Sequence, residues 1–348
     1  MMALNRLAFW TAVIAVAAFS GSNGLHAQHP ANGQGHVYPT KAVRIVVPFT
    51  PGGTSDVLAR TLGAKLSELW GQPIVIETRT GGGGTIGTAV VAKATPDGHT
   101  LLISSAAFAI SAAIHTQLPY DPIRDFAGIT RLGFSTTAFI VPPALGTKSL
   151  SDFIELAKSK PGEILFSSAG VGSSTHMNGE RFRLAADIKV VPVGFKGAAD
   201  ATLEVIAGRV QFAIVGLASS LPHIQDRRLV ALAVGIPQRS PLLPDVPTIA
   251  ETLPGYARDG SHSLLAPKGT PLAIRQQLAK EVARILEIPE VKERLKNIDF
   301  TPQPSTPEEH ERIVRADIET FSGVIRAAGL RPDLAGDSKG GTRQAAGK

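Results

Sequence analysis

The chain carries the same strand–turn–helix pattern twice. Residues 43–54 read VRIVVPFTPGGT and residues 163–174 read EILFSSAGVGSS, and a helical pattern follows each. In both, a short apolar strand ends in a turn rich in Gly, Ser and Thr that opens a helix. Such a turn presents unpaired backbone N–H groups at the positive end of a helix dipole, which favours an anion without any charged side chain. The repetition predicts two lobes that hold one small anionic molecule between them.

The order of elements around each turn predicts an α/β fold. Strands and helices alternate from residue 43 to 104 and again from 150 to 234, and this order indicates parallel sheets covered by helices. The helical segment 271–328 has no strands of its own to cover, so we expect it to pack on the first lobe. Strand-like crossings near 128–141 and 261–266 would join the lobes. We therefore predict a two-lobe periplasmic-binding-protein fold of type II, with each lobe a doubly wound sheet and a cleft at the strands' carboxyl ends.

The N-terminus has the pattern of a secretory signal. Arg6 precedes an apolar run from Leu7 to Phe19, and small residues lead to Ala27, after which we expect cleavage. The run is short for a bilayer span; the alternative is an uncleaved anchor, which would also face the protein outward. We expect a soluble periplasmic protein. The predicted organisation is a signal peptide over 1–27, a flexible leader over 28–38, lobe 1 over 39–134 plus 258–332, lobe 2 over 135–257, and a disordered tail over 333–348.

Composition argues against several classes of function. Charged residues are 18% and hydrophobic residues 43% of the 348, as in a folded globular protein. Aromatic residues are only 5%, and the basic residues are scattered singly, which argues against nucleic-acid binding. The absence of Cys excludes thiolate metal sites and thiol nucleophiles, and the nine His never fall into metal-ligand spacing with an acid. We expect no metal and no cofactor. The net charge of +6 is either a mild attraction for anions or ordinary surface charge.

The two turns supply the candidate binding residues. In the first, Gly52 and Gly53 allow close backbone approach, while Thr54 caps the helix or contacts the ligand. The alternative is a plain strand-to-helix turn. The second turn has more hydroxyl groups than a helix cap needs, which favours binding, and His176 one turn later either faces the cleft or packs.

A run of glycines at 81–84 with Gly87 has the spacing of a dinucleotide-binding loop. That function requires an acid at the end of the next strand, where Ser104 and Ser105 stand instead, and no Lys follows to make a phosphate-binding loop. Close packing of helix on sheet is the favoured interpretation of the run, with Thr85 as a further ligand contact.

Catalytic motifs are lacking elsewhere in the chain. There is no HExxH metal motif and no GxSxG nucleophile motif. The alternative is a serine-type enzyme that acts on anionic substrates. Its only candidate residues are Ser168 as the nucleophile and His176 as its partner. The sequence therefore favours a binding protein over an enzyme.

The chain from Tyr38 to Leu330 resembles the Bug-type substrate-binding proteins, the periplasmic receptors of tripartite tricarboxylate transporters. The matching stretches are YPTK (38–41), VVPFTPGG (46–53), GQP (71–73), PDGHTLL (96–102), LPYDP (118–122), SAG (168–170), FKG (195–197), LPDVPT (243–248) and APKGTP (266–271).

The resemblance implies a non-enzymatic binding protein that closes on a small carboxylate and meets membrane transporter subunits, and we expect a monomer. A sensor subunit of the same fold is the alternative. In the family, one ligand carboxylate is held by the two turns, largely through backbone N–H groups. Carried onto this chain, the ligand-binding residues are Thr50, Gly52, Gly53 and Thr54 from one lobe, Ser168, Gly170, Gly172, Ser173 and His176 from the other, and Ser104 and Ser105 at the end of the third strand.

Three departures from the family pattern fall where the far end of the ligand should lie. Phe195 stands where the family has a Tyr, Gly216 where an Asp is common, and His262 where a Trp is common. We count Phe195 and Gly216 among the ligand-binding residues. The missing Asp argues against an amino-acid ligand, and His262 would favour a second acidic group.

Overall fold

The computed structural model describes residues 38–256, 260–327, 329 and 330. The predicted signal peptide and tail, and the leader up to residue 37, lie outside these residues. Tyr38, predicted as the last residue of the leader, is instead buried: its ring lies 5.7 Å from that of Trp70, and its hydroxyl donates to the Gly98 carbonyl at 2.7 Å. The leader boundary at 38 is therefore one residue too late.

The described residues form eleven strands and eleven α-helices. The strands are β1 Val43–Val47, β2 Ile74–Thr78, β3 Thr100–Ser105, β4 Phe126–Ser135, β5 Thr137–Val141, β6 Ile164–Ser168, β7 Val190–Gly194, β8 Phe212–Gly216, β9 Val230–Val234, β10 Ser261–Pro267 and β11 Phe300–Pro302. The helices are α1 Thr54–Trp70, α2 Thr85–Ala92, α3 Ala107–Ile114, α4 Leu150–Ser159, α5 Ser174–Ala185, α6 Ala198–Ile206, α7 Leu217–Gln225, α8 Ile249–Thr252, α9 Leu272–Leu286, α10 Pro289–Lys296 and α11 Pro307–Ala327. None of these described helices is both long enough and apolar enough to cross a bilayer.

The strands form two sheets, one of order β11-β4-β10-β3-β1-β2 and one of order β7-β6-β8-β5-β9. The predicted parallel pairing is found for β2-β1-β3 and for β7-β6-β8. In contrast, β5 and β10 run antiparallel to their neighbours. Strand β11 likewise runs antiparallel to β4. The reason is the direction of each strand: the remaining strands end at the edge where the two sheets face each other, whereas β5, β10 and β11 start there. The lobe boundaries at 134/135 and 257/258 stay a prediction.

Each sheet has its own apolar core. In the first, Ile45, Leu101 and Leu264 pack with Leu62 of α1 and Val282 of α9. In the second, a cluster of aromatic rings fills the core, with the rings of Phe139 and Phe212 stacked 4.9 Å apart. Helices α9 and α11 pack on the first sheet and on α1 and α3, as expected for the C-terminal segment. Two rigid cores thus hold the loops at their facing edges.

Candidate functional site

A cavity lies where the two sheets face each other, at the carboxyl ends of their parallel strands. Together with its opening to solvent, it comprises about 570 Å³ of space free of protein atoms. Its walls come from both sheets, so it is a site that both halves of the chain build. The lining residues are Phe49, Thr50, Gly53, Thr54, Ser55, Asp56, Ser105, Ser135, Thr137, Ala169, Ser174, Thr175, Asn178, Ala198, Gly216, Gly260 and His262.

Five of the described helices begin at this cavity. Each follows a strand or turn that ends at the facing edge, so its N-terminus lies beside the cavity. In two of them the first N–H is bonded within the protein: that of Leu217 in α7 to the Thr136 carbonyl, and that of Ala107 in α3 to the Ser105 hydroxyl. The N-cap residues are Gly53 for α1, Ala106 for α3, Ser173 for α5, Gly197 for α6 and Gly216 for α7. The positive ends of five helix dipoles therefore converge on one small volume.

The first turn of α1 keeps backbone donors available. The N–H of Gly52 is taken by the Asp56 carboxylate at 3.1 Å, and the N–H of Asp56 bonds to the Gly53 carbonyl at 3.0 Å. The N–H groups of Gly53, Thr54 and Ser55 have no partner within the described part of the chain. Three donors at one helix start are left for a bound molecule.

Helix α5 offers the matching donors from the other side. The Ser173 hydroxyl accepts from the His176 N–H at 3.1 Å, and the Thr175 hydroxyl accepts from the Ala169 N–H at 2.8 Å, which fixes the turn. The N–H groups of Ser174 and Thr175 have no partner among the described residues. The Ser174 hydroxyl reaches across to that of Ser105 at 3.4 Å. The two helix starts are thus aimed at the same space.

One side chain on the wall has an unused polar atom. The Oγ1 of Thr50 is buried and has no hydrogen-bond partner in the described structure. A buried hydroxyl without a partner is costly, by about 1–3 kcal/mol. Thr50 lines the cavity, and its hydroxyl lies next to Gly197, where an added Cβ would overlap it.

The cavity wall carries almost no charged side chains. None of the described lining residues is Lys or Arg, and the one carboxylate, Asp56, pairs with Arg60 at 3.0 Å. His262 lies between the hydroxyls of Ser55 and Ser135, each 3.2 Å from a ring nitrogen. Burial lowers the pKa of His262 to about 3, so the ring is neutral at physiological pH. In this structure the ring brings no positive charge and both nitrogens face hydroxyls, so its preference for a second acidic group stays a prediction.

Five of the predicted site residues line the cavity: Thr50, Gly53, Thr54, Ser105 and Gly216. The other eight lie close behind it or elsewhere. Ser104 pairs with Ser263 inside the sheet, Gly52 is bonded to Asp56, and Ser173 caps α5. As parts of the site, the thirteen residues stay a prediction.

The rest of the second turn faces other surroundings. Gly170 and Phe195 line a separate outer cavity together with Gly83, and Gly172 packs beside Ser111 of α3, whose hydroxyl donates to the Gly172 carbonyl at 3.5 Å. These residues support the turn from behind, at the contact between the two halves.

His176 and Ser168 do not form a nucleophile–base pair. His176 is 3% exposed, its ring is stacked on Phe166 with centroids 6.3 Å apart, and its Nδ1 has no partner. Burial lowers the pKa of His176. The Ser168 hydroxyl contacts the Val193 carbonyl at 3.5 Å instead of an imidazole. Of the two alternatives for His176, packing is the one observed, and an activated serine has no base here.

Sequence reasoning missed several lining residues. Thr175 belongs to the second turn but is not among the predicted binding residues, and Asn178 lies one helical turn after Ser174, where extending the predicted site along α5 would have found it. Ser135 and Thr137 border the crossing from β4 to β5, and no local pattern marks them as part of a site.

Comparisons with known proteins agree with this geometry. The family model described as "Tripartite tricarboxylate transporter family receptor" matches residues 58–330. The solved structure of Rpa4515 of R. palustris with adipate is similar at a TM-score of 0.81 and 33% identity, covering 84% of this chain and 99% of that one. The periplasmic binding protein BugD is similar at 0.81 and 28%, covering 84% and 99%. MatC of Rhodopseudomonas palustris with bound malate is similar at 0.79 and 29%, covering 83% and 100%. The predicted two-lobe type II fold and the Bug-type resemblance are confirmed.

Proposed function

This chain belongs to the tripartite tricarboxylate transporter receptor family, and we propose that it captures a small organic carboxylate in the periplasm and delivers it to the membrane subunits of such a transporter. The observation that carries the proposal is the convergence of five helix N-termini on a cavity whose described lining holds no cationic side chain. A carboxylate suits this cavity because backbone N–H groups and dipoles supply the countercharge.

We assign the carboxylate to the space between α1 and α5. The free N–H groups of Gly53 and Thr54 lie on one side and those of Ser174 and Thr175 on the other, and Thr50 lines the same space. Hydrogen bonds to a charged acceptor contribute about 1.5–3 kcal/mol each, more than those between neutral groups. Several such bonds in a closed cavity hold an anion without a salt bridge.

Capture proceeds by closure of two lobes, which we place at 39–134 plus 258–332 and at 135–257. The hinge would include the crossing between Ser135 and Thr137, where β4 ends and β5 begins. Closure removes water from the cavity, which strengthens each N–H contact with the anion.

The far end of the ligand meets neutral polar groups. Asn178, Thr137 and the Ser135–His262 pair line the cavity, and we assign the far end of the ligand to them. Adipate in Rpa4515 and malate in MatC support carboxylates of four to six carbons as the first candidates. These side chains would distinguish ligands by forming hydrogen bonds with the hydroxyl or carboxyl substituents of the bound acid.

The proposal is tested by thermal shift and calorimetry with acetate, malate, adipate, citrate, benzoate and glutamate. We expect at least one of these acids to raise the melting temperature of the wild-type protein without turnover, since a ligand that binds only the native state stabilises it. If none does at millimolar concentration, the proposal is wrong.

One substitution tests whether the ligand binds in this cavity. Gly53 has φ −82°, and a side chain there would enter the cavity with only the Thr50 carbonyl nearby, at 3.9 Å. Gly53→Val should therefore abolish the ligand-induced shift while leaving the melting temperature of the free protein near that of wild type. Gly323→Val, placed where no atom lies within 4 Å, is the control. If Gly53→Val and Gly323→Val bound the ligand equally well, the ligand would not bind in this cavity.

A further inference from the structure

The glycine run at 81–84 lies outside the anion cavity yet has a demanding conformation. All four residues have positive φ angles, of 117°, 59°, 64° and 104°. Residues with a side chain rarely adopt such angles, and never in a run of four without cost. We call residues 81–84 the glycine turn. A conformation this restricted indicates that its backbone must fit closely against something.

The glycine turn is fixed on its own side of the cleft. The Gly84 N–H donates to the Gly81 carbonyl at 3.0 Å, and the Thr88 hydroxyl donates to the Gly84 carbonyl at 2.8 Å. A Cβ added at Gly84 would lie 3.0 Å from Cζ of Phe49, a residue of the cavity wall. The turn is therefore a rigid part of the first sheet's side, held next to the cavity.

Gly83 faces the opposite side. A Cβ added at Gly83 would overlap the carbonyl oxygen of Val171, and would lie 3.0 Å from that carbonyl carbon and 3.2 Å from the Ser173 nitrogen. A Cβ added at Gly170 would lie 3.1 Å from the Gly83 nitrogen. The nearest atoms to the space beside Gly83 all belong to the turn 170–173. Two backbones meet here with no room for a side chain between them.

The turn 170–173 is the one that opens α5. Ser173 is its N-cap, and the free N–H groups of Ser174 and Thr175 follow directly. On the cavity side of the same contact, Phe49 packs with Ala107 and with Ala169 of the second half. The contact at Gly83 thus determines how close the start of α5 comes to the start of α1.

We propose that Gly83 is a positioning residue for ligand capture: its backbone seats on the turn 170–173 when the lobes close and holds the α5 donors at the bound carboxylate, without touching the ligand itself. The inference rests on the function proposed above. Any side chain at position 83 would keep the two turns apart and leave the α5 donors out of reach of the anion.

The test compares Gly83→Ala with Gly71→Ala. The two glycines have nearly the same φ, 64° and 63°, so both variants carry the same backbone strain, but nothing lies within 4 Å of a Cβ at Gly71. With the panel acid that stabilises wild type most, calorimetry should show affinity at least tenfold weaker for Gly83→Ala and within twofold of wild type for Gly71→Ala. Both free proteins should melt at similar temperatures. Affinities of the two variants within twofold of each other would overturn the proposal.

A second test measures hydrogen exchange of the wild-type protein, so it does not depend on whether a variant folds. Saturation with the same acid should slow exchange at residues 82–84 and 171–173, although Gly83 and Val171 are outside the cavity lining. Unchanged exchange at 82–84 alongside protection of the cavity residues would overturn the role of Gly83 and leave the proposed function standing. Absence of binding by wild type would instead refute the function itself.

Discussion

Thr50 of the first half meets Gly197 of the second so closely that a Cβ added at Gly197 would overlap the Thr50 hydroxyl and lie 2.8 Å from the Thr50 nitrogen. Gly197 is the N-cap of α6 and Thr50 precedes the start of α1. This contact brings two helix starts together and leaves the Thr50 Oγ1 buried without a partner in the described structure. Because Thr50 also lines the cavity, a turn of its side chain toward the enclosed space would let the hydroxyl donate to a bound anion, which is the role we propose for it.

Replacing Thr50 by Val should weaken carboxylate binding about tenfold or more. The change keeps the shape of the side chain and removes one donor, and a hydrogen bond to a charged acceptor contributes about 1.5–3 kcal/mol. The free protein should be as stable as wild type or more stable, because the hydroxyl has no partner in it. Calorimetry and thermal melts measure the two effects. Thr147→Val removes another buried, unpartnered hydroxyl away from the cavity and should leave affinity unchanged; equal affinities for both variants would contradict the role of Thr50.

Adding one methyl group at Gly216 should narrow the cavity. A Cβ there would lie 2.7 Å from the Thr54 hydroxyl, and the backbone at φ −63° accepts Ala without strain. We expect Gly216→Ala to weaken binding several-fold by pushing apart the starts of α7 and α1, with little change in the melting temperature of the free protein. Gly323→Ala, which meets no atom within 4 Å, is the matched control. Unchanged affinity for Gly216→Ala would place the ligand away from this wall.

Removing the positive charge of Arg60 should weaken anion binding. Its Nε lies 3.0 Å from the Asp56 carboxylate, so Arg60→Met leaves a negative charge uncompensated on the cavity wall. Because Arg60 is half-exposed, the loss of this ion pair should affect stability little. We expect affinity to fall about threefold to tenfold, on the scale of 1 kcal/mol. Adding Asp56→Asn to Arg60→Met should restore it, since the amide oxygen still accepts from Gly52; a double variant as weak as the single one would refute the electrostatic cause.

Protein stability should fall as the pH drops below 6.5, and His310 should account for part of the fall. This ring is fully buried, neither nitrogen has a partner in the described structure, and burial, with Arg131 nearby, lowers its pKa to about 4. The unfolded chain takes up a proton at His310 below pH 6.5, whereas the folded chain stays neutral until about pH 4. The free energy of unfolding that neutral His310 contributes is therefore fully present above pH 6.5. It is lost between pH 6.5 and about pH 4, by about 1.4 kcal/mol per pH unit.

His310→Leu should remove this dependence. Urea denaturation at pH 7 and pH 5 should show that the variant loses about 2 kcal/mol less than wild type between the two values. The variant should be no less stable at pH 7, because it buries no unpartnered nitrogen. The same loss in both proteins would show that His310 is already charged or exposed.

The sequence predicted most elements that local periodicity defines. Apolar periodicity predicts helices over 150–159 and 55–69; α4 has the first of these bounds, and α1 differs from the second by one residue at each end. Helix α3 was missed because its sequence, AFAISAAI, is apolar on all faces and shows no helical period. Helix α7 was missed because Pro222 interrupts it. Both helices begin at the cavity, so the omissions hid two of its five dipoles.

Side-chain direction explains which predicted site residues reach the cavity. Ser104 and Ser105 are neighbours on β3, and since successive side chains of a strand point to opposite faces, Ser105 lines the cavity while Ser104 does not. Gly52 and Gly53 are also neighbours, but the carboxylate of Asp56 occupies only the N–H of Gly52. Composition and spacing cannot separate such pairs, because the distinction depends on geometry built by distant parts of the chain.

An anion site built from main-chain N–H groups affects how a protein of this fold can change its ligand. Every residue except proline carries the N–H group that holds the charge, so most substitutions at the starts of α1 and α5 leave that attraction in place. Other side chains of the cavity wall, such as those of Asn178 and His262, can be substituted one at a time. A duplicated gene could thus acquire a new cargo by altering a few wall positions while inheriting its affinity for acids unchanged.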